Sequence, residues 1–379
     1  MQKKIKNINE IENLINEKLD NLIVTMPEEI AEVVGLEYVC DSDEGCTRRR
    51  HGKGFIYLSS KGERVTDKKL LSRFESLIIP PAWTNVWICN SSNGHIQATG
   101  RDQKGRKQYI YHTRWEEISN SNKFNLMIKF GESLPLIRAR VEEDLKKHNL
   151  SREKVLAILV SLLEQTMIRI GNPEYAKQNG SYGLTTLRNK HTNVTGSKIK
   201  FMFKGKSGKQ WEVDVENRRL ARLVKQCQEL PGQKLFQYVD EQGNLQSVGS
   251  ADVNNYLKEI IGMDFTAKDF RTWGGTVLAA KEFNRLGPAE SETDSKKKII
   301  QTVKTVSHAL NNTPSVCRKY YIHPEVITSF TEGTLFEEIK NASENRDNTQ
   351  PFGLDAEELA VLNILRNGLL EKEVLLNSA

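Results

Sequence analysis

Asn312-Thr313-Pro314-Ser315-Val316-Cys317-Arg318-Lys319-Tyr320-Tyr321-Ile322-His323-Pro324 is the segment around which the architecture assembles. Proline is accepted in the first turn of a helix and rejected in its interior. The prolines at 314 and 324 therefore frame one short helix that would hold Tyr321. A helix this short needs neighbours to be stable, and the upstream sequence supplies them. Residues 252–261, 268–285 and 295–311 carry apolar side chains at helical spacing, as do residues 217–228. Residues 198–203 and 210–215 alternate instead and flank Lys204-Gly205-Lys206-Ser207-Gly208, a hairpin signature that puts Lys206 at the tip. Residues 151–170 read as a long helix, with Val155, Leu159, Leu162, Leu163 and Thr166 along one face. Ser151 and Glu153 suit its start and Gly171 its stop. Arg169 would then close that helix.

The front of the chain is different. Gly54-Phe55-Ile56-Tyr57-Leu58 and Asn85-Val86-Trp87-Ile88-Cys89 are short runs of strand formers bounded by turn residues, and residues 95–99 and 108–112 answer them. Residues 68–77 form a helix that Pro80-Pro81 stops. Residues 8–23 have helical periodicity and are expected to pack as a cap. Residues 33–46 are acidic and expected to be a linker, and a last helix is expected over residues 354–370. The expected division is 1–46 (helix and linker), 47–114 (β-rich lobe), 115–335 (helical domain) and 336–379 (acidic extension), the acidic ends being ordinary solvated segments.

Charge sharpens this division. Residues 47–114 hold 14 Lys+Arg against 4 Asp+Glu, and residues 115–324 are also positive by 10. Residues 1–46 and 325–379 each hold 4 basic against 11 acidic side chains. A basic body between acidic ends is the electrostatic footprint of a phosphate-backbone binder. No apolar run approaches a membrane span, about 20 residues, and no signal-peptide core follows Met1, so the expected setting is the cytoplasm. Five scattered cysteines without a Cys-x-x-Cys pair, and histidines without His-x-x-x-His spacing, give no support to a disulfide framework or a metal site. Gly205-Lys206-Ser207 echoes a phosphate loop, but the required earlier glycine is Lys200, which excludes that ATPase motif.

Arg169, Lys206, Lys268, Arg271 and Tyr321 remain as a constellation of cations and one phenol. In this order and spacing they resemble the active-site motifs of type IB DNA topoisomerases, in the branch shared by bacteria and poxviruses. The likeness runs from about Arg48 to Phe330. It includes Ile79-Pro80-Pro81-Ala82-Trp83, Gly94-His95-Ile96-Gln97-Ala98-Thr99-Gly100-Arg101-Asp102, Gly105-Arg106-Lys107-Gln108-Tyr109, Tyr182-Gly183-Leu184-Thr185-Thr186-Leu187-Arg188 and Gly249-Ser250-Ala251-Asp252-Val253-Asn254.

The resemblance implies an α+β fold: a β-rich N-terminal lobe and a mainly helical catalytic domain, of the type IB topoisomerase and tyrosine recombinase kind, closing as a clamp around duplex DNA. It implies relaxation of positive and negative supercoils by a monomer, with no cofactor. Tyr321 would attack phosphorus, Arg169 and Arg271 would hold the non-bridging oxygens, and Lys206, helped by Lys268, would protonate the leaving 5′-oxygen. The position nine residues before Tyr321, often histidine in the wider family, is Asn312, which can donate a hydrogen bond but brings no charge. Spacing from Asn312 selects Tyr321 over Tyr320.

For the DNA grip, Gln97, Arg101, Lys104, Arg106, Lys107, Gln108, Tyr109 and Tyr111 interleave cations, amides and aromatics, with Arg48, Arg49, Arg50 and Lys53 adding phosphate contacts. The resemblance places Tyr175 in the major groove. Lys268 stands three residues before Arg271, where tyrosine recombinases usually carry histidine, and this separates the chain from that rival. A nucleophile would serve no purpose in a purely DNA-binding protein.

Overall fold

The computed structural model describes residues 27–346 and 349–377, so the helix expected over residues 8–23 lies outside the described residues. The chain forms two compact units, Met1–Leu126 and Met127–Ala379.

The first unit is an antiparallel sheet with one helix on it. Its strands are β1 (Gly45–His51), β2 (Gly54–Leu58), β3 (Thr84–Cys89), β4 (Ile96–Arg101) and β5 (Lys107–Tyr111), in the order β2-β1-β3-β4-β5. Helix α1 (Pro27–Val33) precedes the sheet, and α2 (Lys68–Ser76) starts at Asp67, whose carboxylate caps Lys69 N and Leu70 N. One face of the sheet meets α2 through Cys46, Phe74, Ile79, Val86, Ile88 and Ala98. Alternation along a strand sends the next residues to the opposite face. The cross-strand pairs Thr99↔Tyr109 and Arg101↔Lys107 therefore share that outer face with Tyr111.

The acidic segment expected as a linker is bound to this sheet. Leu36 is buried, Tyr38 stacks on His95 at 4.2 Å, and the Trp87 Nε1–H donates to Asp43 O. Strand β1 was not evident in the sequence because three successive arginines mask any alternation.

The second unit is mainly helical. After α3 (Thr113–Leu145), in which the unit boundary falls, come α4 (Arg152–Thr166) and α5 (Pro173–Asn179). The three-stranded sheet β6 (Thr192–Thr195), β7 (Lys198–Lys204) and β8 (Gln210–Glu216) is followed by α6 (Arg218–Gln228), the short pair β9 (Gln237–Val239) and β10 (Leu245–Ser247), and α7 (Ser250–Ile261). Then come α8 (Ala267–Leu286), α9 (Glu292–Ala309), α10 (Pro314–Tyr320), α11 (Pro324–Glu332), α12 (Thr334–Asn345) and α13 (Ala356–Asn377). Residues 154–163 of α4 are all buried, so this helix runs through the core rather than along the surface. Helix α8 is buried along most of its length.

The long helix expected over residues 151–170 ends four residues earlier. Met167 turns left-handed at φ 52°, and the backbone of Arg169 and Ile170 bonds instead to the turn Leu184–Thr186, through Leu184 N and Thr185 N. Arg169 therefore lies past the end of the helix, in irregular chain. The acidic C-terminal segment is not merely solvated. Ala360, Val361, Leu362, Ile364 and Leu365 are buried, and Glu358 accepts from Arg138 (2.7 Å) and from Trp273 Nε1 (3.4 Å) of α8. Trp273 in turn lies where any side chain at Gly131 would sit. No described helix is long and apolar enough to cross a membrane.

Replacing Glu358 by alanine removes the shared acceptor of a buried indole and a half-buried guanidinium. A loss of about 1–3 kcal/mol is expected, read as a lower urea midpoint.

Candidate active site and nucleic-acid face

The second unit brings four of the expected catalytic residues together: Arg169, Arg271, Asn312 and Tyr321. Arg271 points from the first turns of α8 and is 3 % exposed. Its guanidinium donates to Met167 O and, at 2.9 Å, to Leu310 O. The left-handed turn that ends α4 thus exposes a carbonyl, and the end of α9 supplies the second. Arg169 donates to Asn312 Oδ1 at 2.5 Å. Asn312 follows Asn311, whose own φ of 47° turns the chain into α10. The Arg271 guanidinium lies 5.4 Å from the Tyr321 ring centroid.

Tyr321 is the residue just past α10 rather than a residue inside it, with its N–H bonded to Cys317 O. Its own carbonyl accepts from Thr276 Oγ1 of α8 at 3.2 Å, and the same hydroxyl accepts from His323 N. Gly275 lets this happen: a Cβ there would lie 2.8 Å from Tyr321 O. Gly183 does the same for Arg169, because a Cβ at 183 would run into Arg169 O. Thr276, Gly275 and the carbonyls of Met167 and Leu310 were not singled out in the sequence. Successive glycines inside a helical pattern are the signal that marks such a close approach.

The electrostatics are unusual. Among the described residues, neither Arg169 nor Arg271 is paired with a carboxylate. Burial holds both guanidiniums below their ordinary pKa. At Arg271 the nearby Arg169 charge lowers it further, and the Tyr321 phenol opposes both effects. Arg271 Nε and Asn312 Nδ2 are buried donors without a hydrogen-bond partner in the protein. Cys317, also buried, has its thiol pushed up to about 11 by burial, against the pull of Arg271, Arg169 and Lys209. One buried and one half-buried cation, with two unspent donors, lie about one phenol and form a ready site for an anion.

Lys206 and Lys268 are exposed and outside this bonded cluster. Lys206 sits at the hairpin tip in the turn Lys206–Gly208, beside Ser207 at φ 61°. The base of that hairpin is fixed by Tyr182 N bonding Lys204 O, and by Asn311 Nδ2 donating to Gln210 O. Lys268 lies in the first turn of α8, three residues before Arg271. Tyr320 closes α10, with Lys319 against its ring. Tyr175, on α5, is exposed.

In the first unit, Arg101, Lys104, Arg106, Lys107, Tyr109 and Tyr111 are exposed, and Tyr109 and Tyr111 stack at 5.7 Å. Gln108 bonds Asp102, which also holds Arg106. Two expected contacts have other duties. Gln97 is 5 % exposed and spends its amide on Gly94 O and Ser92 O. Arg48 donates to Ile79 O, Pro80 O and Trp83 O, fixing the double-proline loop. Arg49, Arg50 and Lys53 stay exposed. Among the described residues, no group of three or more His, Cys, Asp or Glu could hold a metal ion.

Residues 112–349 match the family described as eukaryotic DNA topoisomerase I, catalytic core, and residues 54–102 match the bacterial DNA topoisomerase IB N-terminal domain. A DNA topoisomerase 1B of Acanthamoeba polyphaga mimivirus is 34% identical over 286 residues, 74% of this chain and 85% of that protein. The DNA topoisomerase 1B of Vaccinia virus (strain Copenhagen) is 26% identical over 60% of this chain and 70% of its own length. The DNA topoisomerase 1 of Rabbit fibroma virus (strain Kasza) is 26% identical over 64% and 75%.

Gly275→Ala is expected to shift Tyr321 and slow any chemistry at its hydroxyl by about 100-fold, as misplacement of about 1 Å does. DNA affinity, measured in parallel by gel shift, should stay unchanged.

Proposed function

The chain belongs to the type IB DNA topoisomerases, in the branch represented by bacteria and poxviruses, and on that premise we propose that Tyr321 is the nucleophile that opens one strand. The family's activity is relaxation of supercoiled DNA through a transient tyrosine-linked break. One observation above all supports the assignment: the buried Arg271 guanidinium lies against the Tyr321 ring, the half-buried Arg169 feels the charge of the same phenol, and among the described residues neither is paired with a carboxylate.

In this mechanism Tyr321 gives its phenolic proton up to solvent, favoured by the neighbouring guanidiniums, its oxygen attacks phosphorus, and the bond to the 5′-oxygen breaks. A 3′-phosphotyrosine remains, and the 5′-hydroxyl leaves. Negative charge gathers on the non-bridging oxygens, where Arg169 and Arg271 offer fixed, always-charged donors. Asn312 gives one acceptor to Arg169 and keeps Nδ2 for a phosphate oxygen. Lys206 supplies the proton that the 5′-oxygen needs, with Lys268 assisting from the start of α8. Since the phosphate ester survives as a protein ester, religation is the same step reversed and calls for neither ATP nor metal. Between the two steps the free end turns about the intact strand, driven by torsion of either sign.

The β-rich unit provides the grip. Lys107, Tyr109, Tyr111 and Arg101 share one sheet face, with Lys104, Arg106, Gln108, Arg49, Arg50 and Lys53 around it, and Tyr175 adds a groove contact from α5. The two units act as a clamp on duplex DNA, and the working species is a monomer in the cytoplasm, at the nucleoid.

Supercoiled plasmid in EDTA without ATP separates these assignments. The native protein should relax both signs of supercoil. Tyr321→Phe should relax neither, and Tyr320→Phe should remain active. Active Tyr321→Phe would move the nucleophile elsewhere. Lys206→Ala should slow cleavage by about 100- to 10,000-fold on ordinary DNA. With a 5′-bridging sulfur, which leaves without a proton, it should cleave at the native rate. An equal defect on both substrates would remove Lys206 from the acid role.

A further inference from the structure

On the outer face of the first unit's sheet, one carboxylate oxygen sits between a buried hydroxyl and an ammonium. Asp41 Oδ2 accepts from Thr99 Oγ1 at 3.0 Å and from Lys107 Nζ at 2.6 Å. Thr99 is 2 % exposed, so its hydroxyl is aimed into the site rather than at bulk water. A cavity of about 290 Å³ opens around this point, lined by Asp41, Asn85, Thr99, Gly100, Arg101 and Lys107. A buried hydroxyl, an ammonium and an adjacent guanidinium are the donor set of a backbone phosphate contact.

The chain delivers the carboxylate deliberately. Residues 37–39 are pinned to the β3–β4 turn, with Glu37 N on Asn93 O, His95 N on Glu37 O and Val39 N on His95 Nδ1. Asp43 closes a tight turn on Cys40, and its carbonyl holds the Trp87 indole. Between these anchors the Asp41 side chain reaches Thr99 and Lys107 on the outer face. The Lys107 ammonium beside it holds the Asp41 carboxyl below the usual carboxylate range, so it is charged across the working pH range.

We propose that Thr99 and Lys107 form a seat for one DNA backbone phosphate, which Asp41 fills in the free protein and a duplex must take over. This rests on the DNA-relaxing function above and adds to it a site and a competitor. The physical consequence is specific. Lys107 would release a DNA counterion at that phosphate, but the carboxylate it leaves behind takes up a cation from solution, so the contact contributes little net counterion release. Elsewhere each phosphate contact steepens the slope of log affinity against log salt by about 0.9.

The test uses the full chain with Tyr321→Phe, so that only non-covalent binding is read, and a short duplex titrated at several salt concentrations. Asp41→Asn should bind about two- to fivefold more tightly at low salt, the span of an exposed ion pair. Its salt slope should steepen by about one contact. Both gains should vanish in Asp41→Asn/Lys107→Ala, and Thr99→Val should reduce them. Thermal melts confirm that each variant is folded. Unchanged or weaker binding by Asp41→Asn overturns the proposal and leaves Asp41 as a brace for Lys107. A gain that persists without Lys107 also overturns it, because it would reflect net charge alone. A parent protein that binds no duplex removes the DNA function and the seat together, whereas a binding parent with no Asp41 effect removes only the seat.

Discussion

Two guanidiniums held near one phenol, with no carboxylate paired to either among the described residues, set the terms for the rest of the second unit. Burying a cation is costly unless something compensates it. Here the compensation is partial and directional: carbonyl oxygens of Met167 and Leu310 for Arg271, and the Asn312 amide oxygen for Arg169. Carbonyls stabilise a guanidinium without cancelling its charge. The field therefore remains available to an incoming anion, where a carboxylate would have consumed it.

That requirement explains several local oddities. Helix α4 must stop early to expose Met167 O, and it does so through a left-handed residue rather than a glycine. Helix α8 must come within backbone distance of the Tyr321 carbonyl, and Gly275 and Thr276 occupy the contact. The acidic C-terminal helix α13 reaches the same helix from behind, where Glu358 holds Trp273 and Arg138. The residues that carry charge are few; those that hold them still are spread over five helices and several loops.

Much of this was legible in the sequence because it rests on local signals. The prolines around residues 314–324, the alternating strands about Gly205-Lys206-Ser207 and the strand formers of β2 and β3 act over a few residues. What escaped depends on distant partners. The end of α4 is decided by bonds from Leu184 and Thr185, which no window around Arg169 contains. Arg48 and Gln97 look like their exposed neighbours by type, yet carbonyls across the fold claim them. The acidic ends looked solvated because composition does not reveal that Leu36, Leu362 and Leu365 are buried. The segments named in the family resemblance carried the active site further than periodicity could, since order and spacing encode geometry that pattern does not.

The hairpin that carries Lys206 has one further meaning. Its strands are registered up to Lys204↔Gln210, and its base is fastened to Tyr182 on one side and Asn311 on the other. Only five residues, 205–209, remain beyond that register, and the side chains of Lys206 and Lys209 are the longest elements among them. The loop therefore behaves as a ruler with a short swinging tip. How far the Lys206 amine reaches from that anchor is set by a count of side-chain bonds, and its reorientation runs on the scale of rotamer motion.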